Sequence, residues 1–317
     1  MTRSVGTERA RLTHGEFDGQ STKGKYVSDL QESCVVNGIE LAYRYLPGDT
    51  ACIVFVSGLG GSGEEWDGVI ERLPAGLSTF AYDRAGCGSS GPVDGATAEG
   101  AALPIQWGAE QLFELLNAAA VPGPWVLVGH SIGGLIVDAF ARLWPDQVSG
   151  LVLVDASDPD LHTALDEDQL VLVDGRDGEG WRISVPATLD NFEPGPREHV
   201  ETVVIGSAIW RWLPVKKAEK YRPLTLVEMD QRWHRHQLQL AQRWSGHLVV
   251  PHFAGHHVHK DSPDLVAEVV RGVATAKRSV VQLDQSTVLR AGGTVRVSVR
   301  DGAFIEWDAA GPRADGD

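Results

Sequence analysis

Apolar and polar positions change their period several times along this chain, and each change marks an element. Residues 1–30 are polar and glycine-bearing, with no sustained period of 2 or 3.6, so a surface arm or disordered segment is expected there. Order begins near Gln31. Val35-Val36 and Ile39-Glu40-Leu41-Ala42-Tyr43 flank Asn37-Gly38, and both central residues of a type I′ turn need positive φ, so the pattern predicts a β-hairpin. Ala51–Val56 and Ser78–Tyr82 are short apolar runs, each followed by a glycine-rich loop. Leu112, Leu115 and Leu116 have helical spacing, Val126–Val128 reads as a buried strand, a helix follows Gly134, and Gly150–Val154 is a further apolar strand closing at Asp155. Such alternation predicts an α/β fold, a mostly parallel central sheet with helices on both faces.

The rhythm stops between Asp155 and Arg222, a stretch rich in acid, proline and tryptophan. It resumes with strands expected at Leu224–Val227 and Leu248–Val250 and a last helix at Asp264–Val273. Thr294–Arg300 then alternates strictly, and Asp301-Gly302 leads into Ala303–Trp307, a second hairpin signature. An isolated hairpin is marginal in water, so this one must pack on the domain or on a second copy, which makes a homodimer an expectation. The organisation read from the pattern is an arm at 1–30, a core at 31–157 and 223–277, an insertion at 158–222 and a C-terminal hairpin extension at 278–317.

Composition removes several function classes. The 28 Lys and Arg against 43 Asp and Glu leave a formal charge of −15, which repels phosphate backbones and anionic lipid, so neither nucleic acid nor a membrane is expected as partner. Cys34, Cys52 and Cys87 lack the spacing of a zinc or redox motif. No apolar run reaches the ~18–20 residues of a transmembrane helix, and the first residues lack a signal peptide's apolar core, so a cytoplasmic location is expected.

The most informative segment is Gly129-His130-Ser131-Ile132-Gly133. A serine hydroxyl is a weak nucleophile at neutral pH and must be held exposed at a sharp strand-to-helix turn where a base reaches its Oγ. Glycines on either side let strand and helix approach closely. A histidine base is then required. Of eleven histidines, His252, His256, His257 and His259 share the loop between a late strand and the last helix. The same four imidazoles admit a metal reading, although no Asp, Glu or Cys constellation accompanies them. The loop Asp83–Ser90 carries alternating glycines, but no helix with a Walker lysine follows it, so a phosphate cradle is disfavoured.

Four ordered motifs, the loop Ser57-Gly58-Leu59-Gly60-Gly61-Ser62, the loop Asp83–Ser90, the elbow at Ser131 and Gly255-His256 followed by Pro263, resemble those of α/β-hydrolase-fold serine hydrolases of esterase or lactonase type. The likeness runs from about Val35 to about Ala276. Ser57 departs from the histidine usual in that family. The resemblance implies Ser131 as nucleophile and His256 as base, with His257 its nearest rival. Asp155 is the acid as one branch of the family places it; Asp230 is the alternative where the acid follows the next strand, with Asp158 and Glu228 behind. Backbone amides of Leu59 and Ile132 would form the oxyanion hole, with Asp83 and Arg84 anchoring their loop. The insertion corresponds to a cap, in which Trp181, Phe192, Ile209, Trp210 and Trp212, together with Leu59, would line a pocket for a bulky, largely apolar ester or lactone. No metal or organic cofactor is called for. Alternatives on the same fold are a carbon–carbon bond hydrolase, a cofactor-free haloperoxidase-like enzyme, and a ligand receptor that retains the triad and turns over slowly.

Overall fold

The computed structural model describes residues 31–93, 102–157, 182–183, 200–211, 222–276 and 283–298. Its elements in chain order are β1 (Gln31–Val36), β2 (Ile39–Leu46), β3 (Ile53–Val56), α1 (Asp67–Ile70), β4 (Thr79–Tyr82), β5 (Ala102–Leu103), α2 (Ile105–Ala118), β6 (Trp125–His130), α3 (Ile132–Leu143), β7 (Val148–Val154), β8 (Arg182–Ile183), β9 (Glu201–Ile205), α4 (Leu226–Arg243), β10 (His247–Pro251), α5 (Val258–Asp261), α6 (Pro263–Thr275), α7 (Gln285–Arg290) and β11 (Gly293–Ser298). One sheet has the order β1-β2-β4-β3-β6-β7-β9-β10-β11, and β5 pairs separately with β8. Neighbours from β4 to β10 run parallel; β1, β2 and β11 are antiparallel additions at the two sides.

Both faces of the sheet are covered, which is why its central strands read as unbroken apolar runs. In β3, Ile53 and Phe55 pack with Trp66, Leu265 and Val269 on one face, while Val54 and Val56 join Leu112, Leu116, Ile136 and Phe140 on the other. Each such side chain taken fully out of water contributes about 1.5–3 kcal/mol before entropy is set against it. The first hairpin turns as expected, with φ of 50° at Asn37 and 84° at Gly38. Among the described residues no helix is long and apolar enough to cross a membrane.

Two expectations are corrected. Leu224–Val227 is not a strand: Thr225 caps α4, accepting from the Glu228 N–H while the Glu228 carboxylate takes the Thr225 N–H, a reciprocal box that favours helix over the short apolar run. The next strand is β9, which lies inside the range 158–222 expected as insertion and pairs with β7 and β10. The sheet therefore resumes near Val200, ahead of the expected residue 223. The strand expected at Thr294–Arg300 forms as β11, which packs on the domain: it pairs antiparallel with β10 and extends the main sheet. The arm at 1–30 and the hairpin's second run at Ala303–Trp307 lie outside the described residues.

Candidate active site

The elbow follows from its glycines. A Cβ on Gly129 would strike the Gly133 carbonyl and the Val137 side chain, and one on Gly133 would strike the carbonyls of Val56 and Ser57. Between them Ser131 takes φ 52° and ψ −122°, a strained conformation for an L-residue that persists only when its surroundings fix it. They do so here. Its N–H donates to the Val154 carbonyl at 3.1 Å, and its carbonyl accepts from Gly134 at 2.9 Å and Ser157 at 3.1 Å. Ser131 Oγ thus stands at the C-terminal edge of the sheet, where crevices for ligands form in open α/β folds.

His256 lies on the loop after β10, with Nε2 3.0 Å from Ser131 Oγ and Nδ1 2.7 Å from Asp155 Oδ2. Asp155 directly follows β7, with φ 40°, and is fully buried. Its Oδ1 accepts from the Ser207 N–H at 2.7 Å and from Trp233 Nε1–H at 2.6 Å. Arg211 stands 3.6 Å from Oδ2 and lies over the Trp233 ring at 4.2 Å. Burial opposes ionisation of Asp155, but the Arg211 charge, the hydrogen bond and charge of His256 and the Trp233 N–H outweigh it, holding the carboxyl down to about 2. Asp155 is therefore a carboxylate at neutral pH. It accepts from Nδ1–H of His256, the tautomer that leaves a lone pair on Nε2 toward the serine.

Ile132 opens α3, where the first helical N–H groups have no acceptor within the helix. Leu59 lies on the loop after β3, half-buried against the core. Gly58 brings that loop close to the elbow, since a Cβ on it would stand 3.3 Å from Ser131 Cβ. Arg84 holds the loop in place, donating to the carbonyls of Ser57 at 2.6 Å and Gly58 at 2.8 Å. Asp83 accepts from Gly63 and Ser89 at 2.7 and 2.8 Å. Ser57 spans the loop through its hydroxyl to the Ser62 carbonyl at 2.7 Å.

Asp230, the rival acid, sits on α4 and accepts from the Trp210 N–H at 3.0 Å, with His234 at 3.8 Å. Glu228 is engaged in the α4 cap. His257 is exposed beside the Ser131–His256–Asp155 line, its ring 5.5 Å from that of His256. Trp210 is 55% exposed and Ile209 half-buried against the core; Asp158, Trp181, Phe192 and Trp212 lie outside the described residues. Three contributors were missed in the sequence. Trp233 and Ser207 carry no local motif, and Arg211 was visible only as part of an aromatic patch; each meets Asp155 through contacts distant in the chain.

Residues 53–269 match the model of the Alpha/beta hydrolase family, and the chain belongs to that family. Esterase Rv0045c of Mycobacterium tuberculosis is 28% identical over 256 residues, covering 71% of this chain and 83% of that one. RutD of Variovorax paradoxus, named as a candidate carbamate hydrolase, is 38% identical over 120 residues, 37% of this chain and 43% of its own. A YqjL protein of Bacillus subtilis is matched over 48% of its length, so the chain spans less than half the length of these two relatives. Among solved structures, a hydrolase from Pseudomonas aeruginosa superposes with TM-score 0.55 at 18% identity, covering 79% of this chain and 100% of that one. A thermophilic esterase from Thermogutta terrifontis gives 0.54 at 18%, covering 77% and 99%. These two likenesses concern the fold.

Proposed function

We propose that the protein is a serine hydrolase that cleaves a carboxylic ester or lactone of a bulky, largely apolar substrate through an acyl-enzyme. The observation that carries this reading is the unbroken line from Ser131 Oγ through His256 to a buried carboxylate, at 3.0 and 2.7 Å. Ser131 Oγ attacks the carbonyl carbon while its proton passes to His256 Nε2. The oxyanion is met by the N–H groups of Leu59 and Ile132, preorganised donors of a kind worth about 10²–10³ in rate each. His256 then returns the proton to the leaving alkoxide, and water repeats the sequence in reverse to release the acid. Asp155 holds the imidazole tautomer and stabilises the imidazolium. Neither metal nor organic cofactor takes part.

The name of the M. tuberculosis relative favours esters. The reading is tested by stopped-flow hydrolysis of a panel of aryl esters and lactones of graded size. A burst of alcohol stoichiometric with enzyme, followed by slower turnover and absent in Ser131→Ala, is the expected result. Turnover unchanged in Ser131→Ala would sink it. Single-turnover behaviour without recycling would favour a receptor that retains the triad.

A further inference from the structure

We infer that His130, His257 and His259 form a binding site for a borderline divalent metal ion such as Zn²⁺, alongside the Ser131–His256–Asp155 line and separate from its chemistry. Among the described residues these three each offer a ring nitrogen, all within 4.8 Å of one another. Their ring centroids lie 4.4, 5.3 and 6.0 Å apart. Zn–N bonds of about 2.1 Å at tetrahedral angles place imidazole centroids roughly 5 Å apart, so small rotations of the exposed His257 would close the set.

The two buried rings are prepared as ligands. His130 is 1% exposed, and its Nε2 lies 2.8 Å from the His256 carbonyl. A carbonyl only accepts, so Nε2 carries the proton and the lone pair is on Nδ1, which has no hydrogen-bond partner among the described residues. Metal-bound histidines are characteristically fixed by such an outer bond. Gly58 leaves room at that nitrogen, where a Cβ would stand 2.7 Å from Nδ1. His259 is completely buried, and among the described residues neither of its ring nitrogens has a hydrogen-bond partner, an arrangement that costs free energy unless something binds there.

Glu65 Oε2 lies 4.0 Å from His259 Nε2 and would supply a fourth, anionic ligand. Its Oε1 is held by Lys260 Nζ at 2.5 Å, a cation that opposes the incoming ion and limits affinity. Three imidazoles with one carboxylate select zinc, cobalt or nickel over magnesium or calcium. Because His130 bonds the His256 carbonyl and His257 follows it in the chain, a bound ion would pin the loop that carries the base.

Metal-free full-length protein is titrated with Co²⁺ and Zn²⁺, following cobalt d–d absorption, calorimetric stoichiometry and melting temperature. One ion per chain is expected, with a nitrogen-rich tetrahedral cobalt spectrum and a Zn²⁺-dependent rise in Tm. His257→Gln, at an exposed position that leaves the core intact, and His259→Gln should each weaken binding about tenfold or more. His252→Gln and His256→Gln should bind as the parent does. The proposal is overturned if the parent retains no ion, if His257→Gln binds as the parent does, or if His252→Gln weakens binding equally, which marks surface binding. Loss of the site in His256→Gln would place the ion on the triad and also overturn it.

Discussion

Replacing Asp155 with Asn removes the negative charge of this buried carboxylate while keeping its shape, and the structure dictates how the amide must sit. Oδ1 accepts from two donors, Ser207 N–H and Trp233 Nε1–H. The amide oxygen of Asn must occupy that position, because NH₂ there would face two other donors. The NH₂ group then takes the place of Oδ2, 2.7 Å from His256 Nδ1. Two donors cannot share that contact, so the imidazole shifts its proton to Nε2. That nitrogen, 3.0 Å from Ser131 Oγ, loses the lone pair needed to take the serine proton. The buried counter-charge for the imidazolium is lost as well. In the serine-protease triad the equivalent change costs about 10⁴ in kcat, or about 5.5 kcal/mol at 1.36 kcal/mol per decade. For Asp155→Asn we therefore expect kcat on an activated aryl ester to fall about 10³- to 10⁴-fold with KM within about threefold of the parent. Circular dichroism establishes that the variant is folded. Asp230→Asn, read in parallel, should lower kcat no more than about threefold, because that carboxylate serves the Trp210 backbone. A folded Asp155→Asn enzyme that keeps within about tenfold of parental kcat would refute the reasoning.

Three further predictions test the supports of the site. Trp233→Phe removes a hydrogen bond to a buried carboxylate and should cost about 1.5–3 kcal/mol in urea unfolding, with a smaller loss of kcat than Asp155→Asn. Asp155 is held at about 2 in the folded protein against an ordinary 3.8, so its ionised form contributes stability above pH 3.8 that is lost as pH falls toward 2. Without the Trp233 N–H the folded value rises, and acid unfolding of Trp233→Phe should begin at higher pH. Arg84→Ala frees the carbonyls of Ser57 and Gly58 and should lower kcat about 10²-fold through the displaced Leu59 amide, visible in steady-state kinetics with the fold preserved. Gly133→Ala places a methyl against the Val56 and Ser57 carbonyls and should destabilise by about 1–3 kcal/mol or prevent folding, measured by thermal melting; a Tm equal to the parent's contradicts the packing described.

What could be read in the chain divides along a physical line. The elbow, the first hairpin and the central strands were visible because each is a local rule: glycines at a forced turn, Asn-Gly between apolar runs, and strands buried on both faces. Leu224–Val227 misled because four apolar-rich residues satisfy the strand pattern, while the Thr225 and Glu228 cap that decides the matter is a side-chain exchange on the helix it starts. β9 was passed over inside an acidic, aromatic stretch, although Val203-Val204-Ile205 has the apolar character of its neighbours. The choice between Asp155 and Asp230 was open for the same reason that Trp233, Ser207 and Arg211 were missed. Which carboxylate reaches His256 is set by where β7, α4 and the loop after β10 meet, and no local spacing encodes that meeting.

Intact-protein mass spectrometry after exposure to a fluorophosphonate probe tests the central claim most directly, with Ser131→Ala and His256→Gln alongside. An activated nucleophile predicts a single adduct that maps to Ser131, is absent in Ser131→Ala and forms far more slowly in His256→Gln. An unlabelled folded parent, or an adduct that persists in Ser131→Ala, would contradict the account.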